Sequence, residues 1–172
     1  ERIGGRVQGG VSLLPLPDFP TGIMRGRFHP ADGHLYLCGM SAWGTAQMHL
    51  PGGFYRVRAT GKPAHVPVGL SAKKHGIYMA FSVPLDPASI APAQFQVRTW
   101  ALKRSEQYGS KHHDEKSLPV ASATLSTDGR SVTLTLPGIE PVWQMEIRYD
   151  LRGADGQPVR GLLQNTIHAL GE

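Results

Sequence analysis

Cysteine is almost missing from this 172-residue chain: Cys38 stands alone, so no disulfide can form within it. It sits in the apolar string His34-Leu-Tyr-Leu-Cys-Gly-Met40, where a thiol is expected to act as a small buried hydrophobe. Long hydrophobic runs are lacking too. No window approaches the roughly 18 apolar residues a helix needs to cross a bilayer, and no basic-then-apolar leader stands before Glu1. An opening at Glu without Met is read as the loss of something upstream. Nor is charge of one sign concentrated. Lys and Arg number 18 against 13 Asp and Glu, yet Arg25, Arg27, Arg56, Arg58, Arg98, Lys103, Arg104, Arg148 and Arg160 are spread along the chain. With no zinc-finger or helix-turn-helix signature, specific nucleic-acid binding is not expected. The mild positive potential reads as an evenly solvated surface, or as an attraction for polyanions.

What the chain has in quantity is turn residues and alternation. Gly at 21 and Pro at 14 argue for many short strands over long helices, and the length is enough to bury a real core. Residues Glu1 to Gly10 read as an arm or loop, and Val11 to Leu16 as a short edge strand, because Pro15 lacks a ladder donor. Ile23 to Pro30, the turn Ala31-Asp32-Gly33 and the cysteine-bearing string read as a hairpin, and Gly53 to Thr60 adds a strand. These pieces read as one sheet of three or four strands. Gly61-Lys62-Pro63 ends that pattern and is the expected junction between a segment 1–62 and a domain 63–172.

Beyond the junction the period is two. Ile77, Met79, Phe81 and Val83 share a face; Phe95, Val97 and Thr99 alternate with Gln96, Arg98 and Trp100. Asp86-Pro87-Ala88-Ser89 is set to cap a short helical turn. Lys103 to Leu118 breaks all periodicity and is expected to be a surface loop. Val132, Leu134 and Leu136 face inward after the turn Ser126-Thr127-Asp128-Gly129, and Trp143, Met145, Ile147 and Tyr149 are expected on one buried face. A Trp143→Ala change in such a core costs about 3–5 kcal/mol. The expectation is an all-β chain: an immunoglobulin-like β-sandwich preceded by a small antiparallel sheet resembling a propeller blade.

Longer strings carry a resemblance. VQGGVSLLPLPDFPTGIMRGRFHPADGHLYLCGM and GGFYRVRATGKPAHVPVGL resemble the closing strands of the β-propeller in bacterial glucose/sorbosone dehydrogenase-like proteins, a group of PQQ-dehydrogenase type. FSVPLDPASI, SEQYGS, LSTDGRSVTLTLPGIEPVWQMEIRYDLRGADG and NTIHAL resemble the Ig-like domain that follows that propeller. The resemblance implies a secreted or periplasmic parent protein. It brings no quinone pocket, calcium site or haem motif, so no cofactor is implied, and residues Val11 to Thr60 must pack on the second domain, pair with another chain or belong to a larger protein.

Residues that could carry chemistry are few. Lys111-His112-His113-Asp114-Glu115 gathers His112, His113 and Asp114 as candidate metal ligands, against the reading of a solvated loop. Cys38, Met40, Met48 and His49 are of the types that hold copper, against core Met and Cys beside a surface His. No GxSxG elbow, paired carboxylates or phosphate-cradling Gly-rich turn is present, so a hydrolase or nucleotide enzyme is not expected. For ligand binding the candidates are Trp43, Arg98, Trp100, Arg104 and Tyr108, with Tyr55 beside them. Trp100 is either exposed for stacking on a sugar ring or covered by the Lys103 to Leu118 loop or the first sheet. Arg25 and Arg27 share a strand face, for an interdomain ion pair or a substrate contact. The expected function is a non-catalytic accessory, structural or interaction module of a larger secreted dehydrogenase-like or glycan-processing protein. The alternatives are a carbohydrate-binding module and part of a quinone- or metal-dependent sugar oxidoreductase. Expected partners are the remainder of a parent protein or another chain through the N-terminal sheet, and a polysaccharide.

Overall fold

The computed structural model describes residues 1–41 and 49–172. They form two compact units, Glu1–Leu14 together with Pro63–Glu172, and Pro15–Lys62. In chain order the strands are β1 (Arg2–Ile3), β2 (Arg6–Val7), β3 (Gly10–Ser12), β4 (Gly22–Phe28), β5 (Leu35–Met40), β6 (Gly52–Val57), β7 (Pro67–Lys73), β8 (Gly76–Phe81), β9 (Phe95–Ala101), β10 (His113–Leu118), β11 (Ser122–Leu125), β12 (Ser131–Thr135), β13 (Val142–Arg152) and β14 (Pro158–Ile167). Single 3-10 turns at Pro87–Ser89 and Pro92–Gln94 are the helical elements among the described residues. Asp86 caps the first of them, accepting from the Ala88 N–H at 2.9 Å. Pairing between strands is antiparallel throughout, and the chain is all-β.

The larger unit is an immunoglobulin-like β-sandwich. One sheet runs β10-β9-β13-β14-β3 and the other β11-β12-β8-β7. Directly paired residues share a face, so alternation in the sequence becomes rows across each sheet. Val97, Ile147 and Leu163 make one such row, Val132 and Met79 another, and Leu134 and Ile77 a third. Ile77, Met79, Val132, Leu134, Met145 and Ile147 lie fully buried in one continuous apolar core, where removing a large aliphatic side chain costs about 2–5 kcal/mol. Close approach fixes Gly76, whose Cβ, were there one, would lie 1.7 Å from the Leu134 carbonyl oxygen.

Three local expectations are corrected. Trp143 is not in the core: it is 58% exposed, with its ring edge-on to His168. A bulge between Val142 and Met145 shifts the register by one, so Val142 pairs with the buried Ile167 and the tryptophan is turned out. The polar stretch Lys103 to Leu118 is not all loop, since its second half is the edge strand β10. An edge strand tolerates charge, and here Lys116 bonds Glu140 while Asp114, at φ 53, forms part of a bulge in the pairing with β9. The N-terminal arm, thirdly, belongs to the sandwich. β3 pairs with β14, and the buried Gln8 side chain donates to the Ala169 carbonyl at 2.8 Å and accepts from the His168 and Ala169 N–H groups.

The smaller unit is an open three-stranded sheet, β4-β5-β6, around the turn Asp32-Gly33. Asp32 accepts from the His34 N–H at 2.9 Å and Gly33 takes φ 67, the left-handed conformation this turn requires. One face carries Leu37, buried, with Leu35, Tyr55 and Val57 partly so, and Phe19 lies 5.0 Å from the Tyr55 ring. The Tyr55 hydroxyl shares a 2.9 Å hydrogen bond with the buried Thr21, and a Cβ on Gly53 would collide with that hydroxyl at 2.2 Å.

Candidate functional site

Two polar surfaces stand out, and the first lies on the outward face of the five-stranded sheet. Pairing sets Arg98 of β9 against Glu146 of β13 and Glu146 against Gln164 of β14, while Trp100 lies opposite Gln144. Glu146 is only 4% exposed. Arg98 donates to its Oε1 from Nη2 at 2.6 Å and from Nε at 3.2 Å, and Arg148 donates to the same oxygen from Nε at 2.9 Å. Burial alone would raise the Glu146 carboxyl, but these charged hydrogen bonds outweigh it and hold the pKa below the ordinary glutamate value. Arg98 also reaches Glu115 at 2.8 Å, and Glu115 contacts His112 Nδ1 at 2.6 Å, which lowers the Glu115 pKa in turn. The His112 ring is stacked on Trp100 at 4.0 Å and 15°.

Arg98 and Trp100 are thus together, the guanidinium 5.9 Å from the Trp100 ring centre. Of the two readings of Trp100, exposed for stacking or covered by the Lys103 to Leu118 stretch, the structure shows the second: Trp100 is 4% exposed, with His112 of that stretch lying over it. Tyr108 is fully exposed at the loop tip and Arg104 lies exposed on the same loop. Trp43 and Met48 lie outside the described residues. His112 engages Glu115, His113 pairs across to Ala101, and Asp114 sits in the bulge. Among the described residues no group of three or more His, Cys, Asp or Glu side chains is placed to hold a metal ion. Cys38 is exposed, contrary to the expected buried thiol, because it falls on the outward face of β5.

The second surface is that outward face of the smaller sheet. Register puts Arg25 of β4 beside Cys38 and Cys38 beside Phe54 of β6, with Arg27, Tyr36 and Arg56 in the next row. Arg58 follows one residue past the end of β6, again exposed. Tyr36 and Phe54 stack at 5.7 Å and 26°, with Phe54 itself 73% exposed. Five basic residues against two acidic ones, Asp18 and Asp32, occupy 15–62. Asp32 is already bound to the His34 N–H and the Tyr36 hydroxyl. Among the described residues none of Arg25, Arg27, Arg56 and Arg58 has an acidic partner within ion-pair distance. Reading Arg25 and Arg27 by themselves misses Arg56 and Arg58; the signal was the alternation Phe54-Tyr-Arg-Val-Arg58, which sends every second residue to one side.

No family model matches the chain, and no curated protein matches it. Among solved structures it is similar to the surface layer protein SbsC, domains 1–6, at 17% identity and a TM-score of 0.45, over 60% of this chain and 14% of that one. A likeness of that degree says nothing of activity or partners. The resemblance to glucose/sorbosone dehydrogenase-like propeller proteins is corrected by these findings. The structure matched is a surface-layer protein, and β4-β5-β6 is an open sheet in which no propeller closure is seen among the described residues. With it go the propeller-fragment, sugar-dehydrogenase and carbohydrate-binding readings.

Proposed function

We propose that the chain is a non-catalytic structural and interaction module of a larger, exported multidomain protein, acting through its sheets on the rest of that protein or on another chain. The observation that supports this most is the contrast between the two polar surfaces. On the sandwich, Glu146, Glu115, Arg98, Arg148 and His112 are spent on one another, so these polar groups serve internal pairing rather than a reaction. On the smaller sheet, arginines and stacked aromatics face outward without acidic partners among the described residues. Exposed apolar residues elsewhere, Val11, Leu13, Leu14 and Val68, add surface that covering would stabilise.

Cross-linking followed by mass spectrometry on the protein from its native source tests this. The module reading predicts cross-links from Lys62 and from the sandwich lysines to segments outside this sequence. A native species of 18.6 kDa with no such links, turning over a substrate by itself, contradicts it.

A further inference from the structure

We propose that the edge of β6, unpaired among the described residues, receives an extended acidic segment of a protein partner as a fourth strand of the smaller sheet. This rests on the module reading and names the class of partner.

The edges of the sheets are not equivalent. An exposed strand edge offers unpaired N–H and C=O groups to any passing chain, and proteins blunt such edges with bulges, shortness or charge. Here β3 is three residues long and β11 four, while β4, β7 and β10 each carry a register shift in the pairing with their neighbour. β10 further carries Lys116 and an irregular Asp114. β6 is six residues long and pairs with β5 from Leu35 opposite Val57 to Met40 opposite Gly52 without interruption. Among the described residues it is the edge of that length with no register shift; its charges, Arg56 and the Arg58 that follows, oppose another basic edge but admit an acidic one, and its other side pairs with no described strand.

Side chains specify what kind of strand. Phe54, Arg56 and Arg58 project to one side of β6 at every second position, and in a strand such positions recur about every 6.6–6.8 Å. A partner strand has the same repeat, so carboxylates at its alternate positions fall opposite Arg56 and Arg58 while an apolar residue falls beside Phe54. Arginine suits this pairing because its planar fork binds a carboxylate in two-point fashion. A partner strand joined in this way gains specificity from side chains and affinity from main-chain hydrogen bonds. Arginines with a stacked Tyr36–Phe54 pair also suit single-stranded nucleic acid, which would lie across the face and leave the edge unused. The unbroken β6 edge favours the polypeptide.

Fluorescence anisotropy on the full chain tests this with a labelled octapeptide, Thr-Glu-Val-Glu-Thr-Val-Thr-Glu, whose alternate positions present two glutamates and then a valine to Arg58, Arg56 and Phe54 when it lies antiparallel to β6. Its comparators are the same peptide with alternate backbone nitrogens methylated, a Lys-for-Glu version, and oligo(dT) of equal charge. The expected result is binding of the acidic peptide, weakened at least tenfold by backbone methylation and by the paired substitutions Arg56→Gln and Arg58→Gln, and abolished in the Lys version. Amide exchange on the unsubstituted chain supplies a second readout should that variant not fold: residues Gly52–Val57 slow when the peptide is bound. Equal binding of the methylated peptide, oligo(dT) binding more tightly than the peptide, or an unchanged β6 exchange rate overturns the proposal. Cross-links to other segments of the native protein that persist with no peptide binding would leave the module reading standing and remove this one.

Discussion

At the scale of single residues, burial and pairing rank the side chains differently from hydrophobicity alone. Trp143 is the largest side chain on β13, yet it stands mostly in water against His168. Trp143→Ala is therefore expected to cost less than about 1 kcal/mol in urea unfolding, where a core tryptophan would cost about 3–5. Its misplacement is instructive. From Trp143 to Tyr149 apolar and polar residues alternate without a break, so the alternation places Trp143 with Met145 although a bulge separates them. Glu146 is the converse, an acid on an outward position that two arginines enclose. Glu146→Ala removes the acidic partner of Arg148 and leaves Arg98 with Glu115 alone, and is expected to lower stability by about 2 kcal/mol, less than loss of a fully enclosed pair because both arginines reach solvent. Thr99 offers a gain. It is buried at 3% and its hydroxyl has no hydrogen-bond partner among the described residues, so Thr99→Val, which keeps the shape, is expected to raise stability by about 1 kcal/mol, read as a higher urea midpoint with unchanged slope.

At the scale of elements, the hairpins were legible because their turns carry residues with a conformational reason to be there. Asp32-Gly33 and Ser126 to Gly129 each end a strand with a glycine at positive φ, and each connects the strands that the alternation predicts. One edge strand was not legible. β10 reads His-Asp-Glu-Lys-Ser-Leu, with no alternation, since only Leu118 is buried and the charged residues face water. The edge strand read over Val11 to Leu16 overlaps β3, but only the Gln8 clasp and the β14 pairing show that the arm before it belongs to the sandwich. The bulge in β10 yields a prediction of its own. Asp114 holds φ 53 without being glycine, so Asp114→Gly should relieve strain and raise the melting temperature slightly, while Asp114→Val should lower it by several degrees. Most of the candidate binding cluster was named by sequence, but its state was not. Nothing in the order of residues announced that His112 would lie on Trp100.

At the scale of the whole molecule, the charges set a pH response. The hydrogen bonds of Glu146, Glu115, Asp155, Asp128 and Asp32 hold their pKa values below the ordinary carboxylate range, and Glu146 does so against its burial. In the unfolded chain these groups bind protons at about pH 4 to 4.5, so between there and their lowered folded values the unfolded state holds more protons. Stability is then present in full above about pH 5 and falls as the pH drops through the folded values. Urea midpoints measured from pH 7 to pH 3 should decline below that point, and less steeply for Glu146→Gln, which no longer titrates there.

The polar face of the sandwich is satisfied internally, while the arginine-bearing face and outer edge of the small sheet are the surfaces proposed to meet a partner. Amide exchange compared between the free chain and the same residues within the native protein measures that division directly. The account predicts that β8, β12 and β13 exchange slowly and equally in both, while Gly52–Val57 becomes protected in the native protein. Protection arising instead around Trp100 and His112, with β6 unchanged, would contradict it.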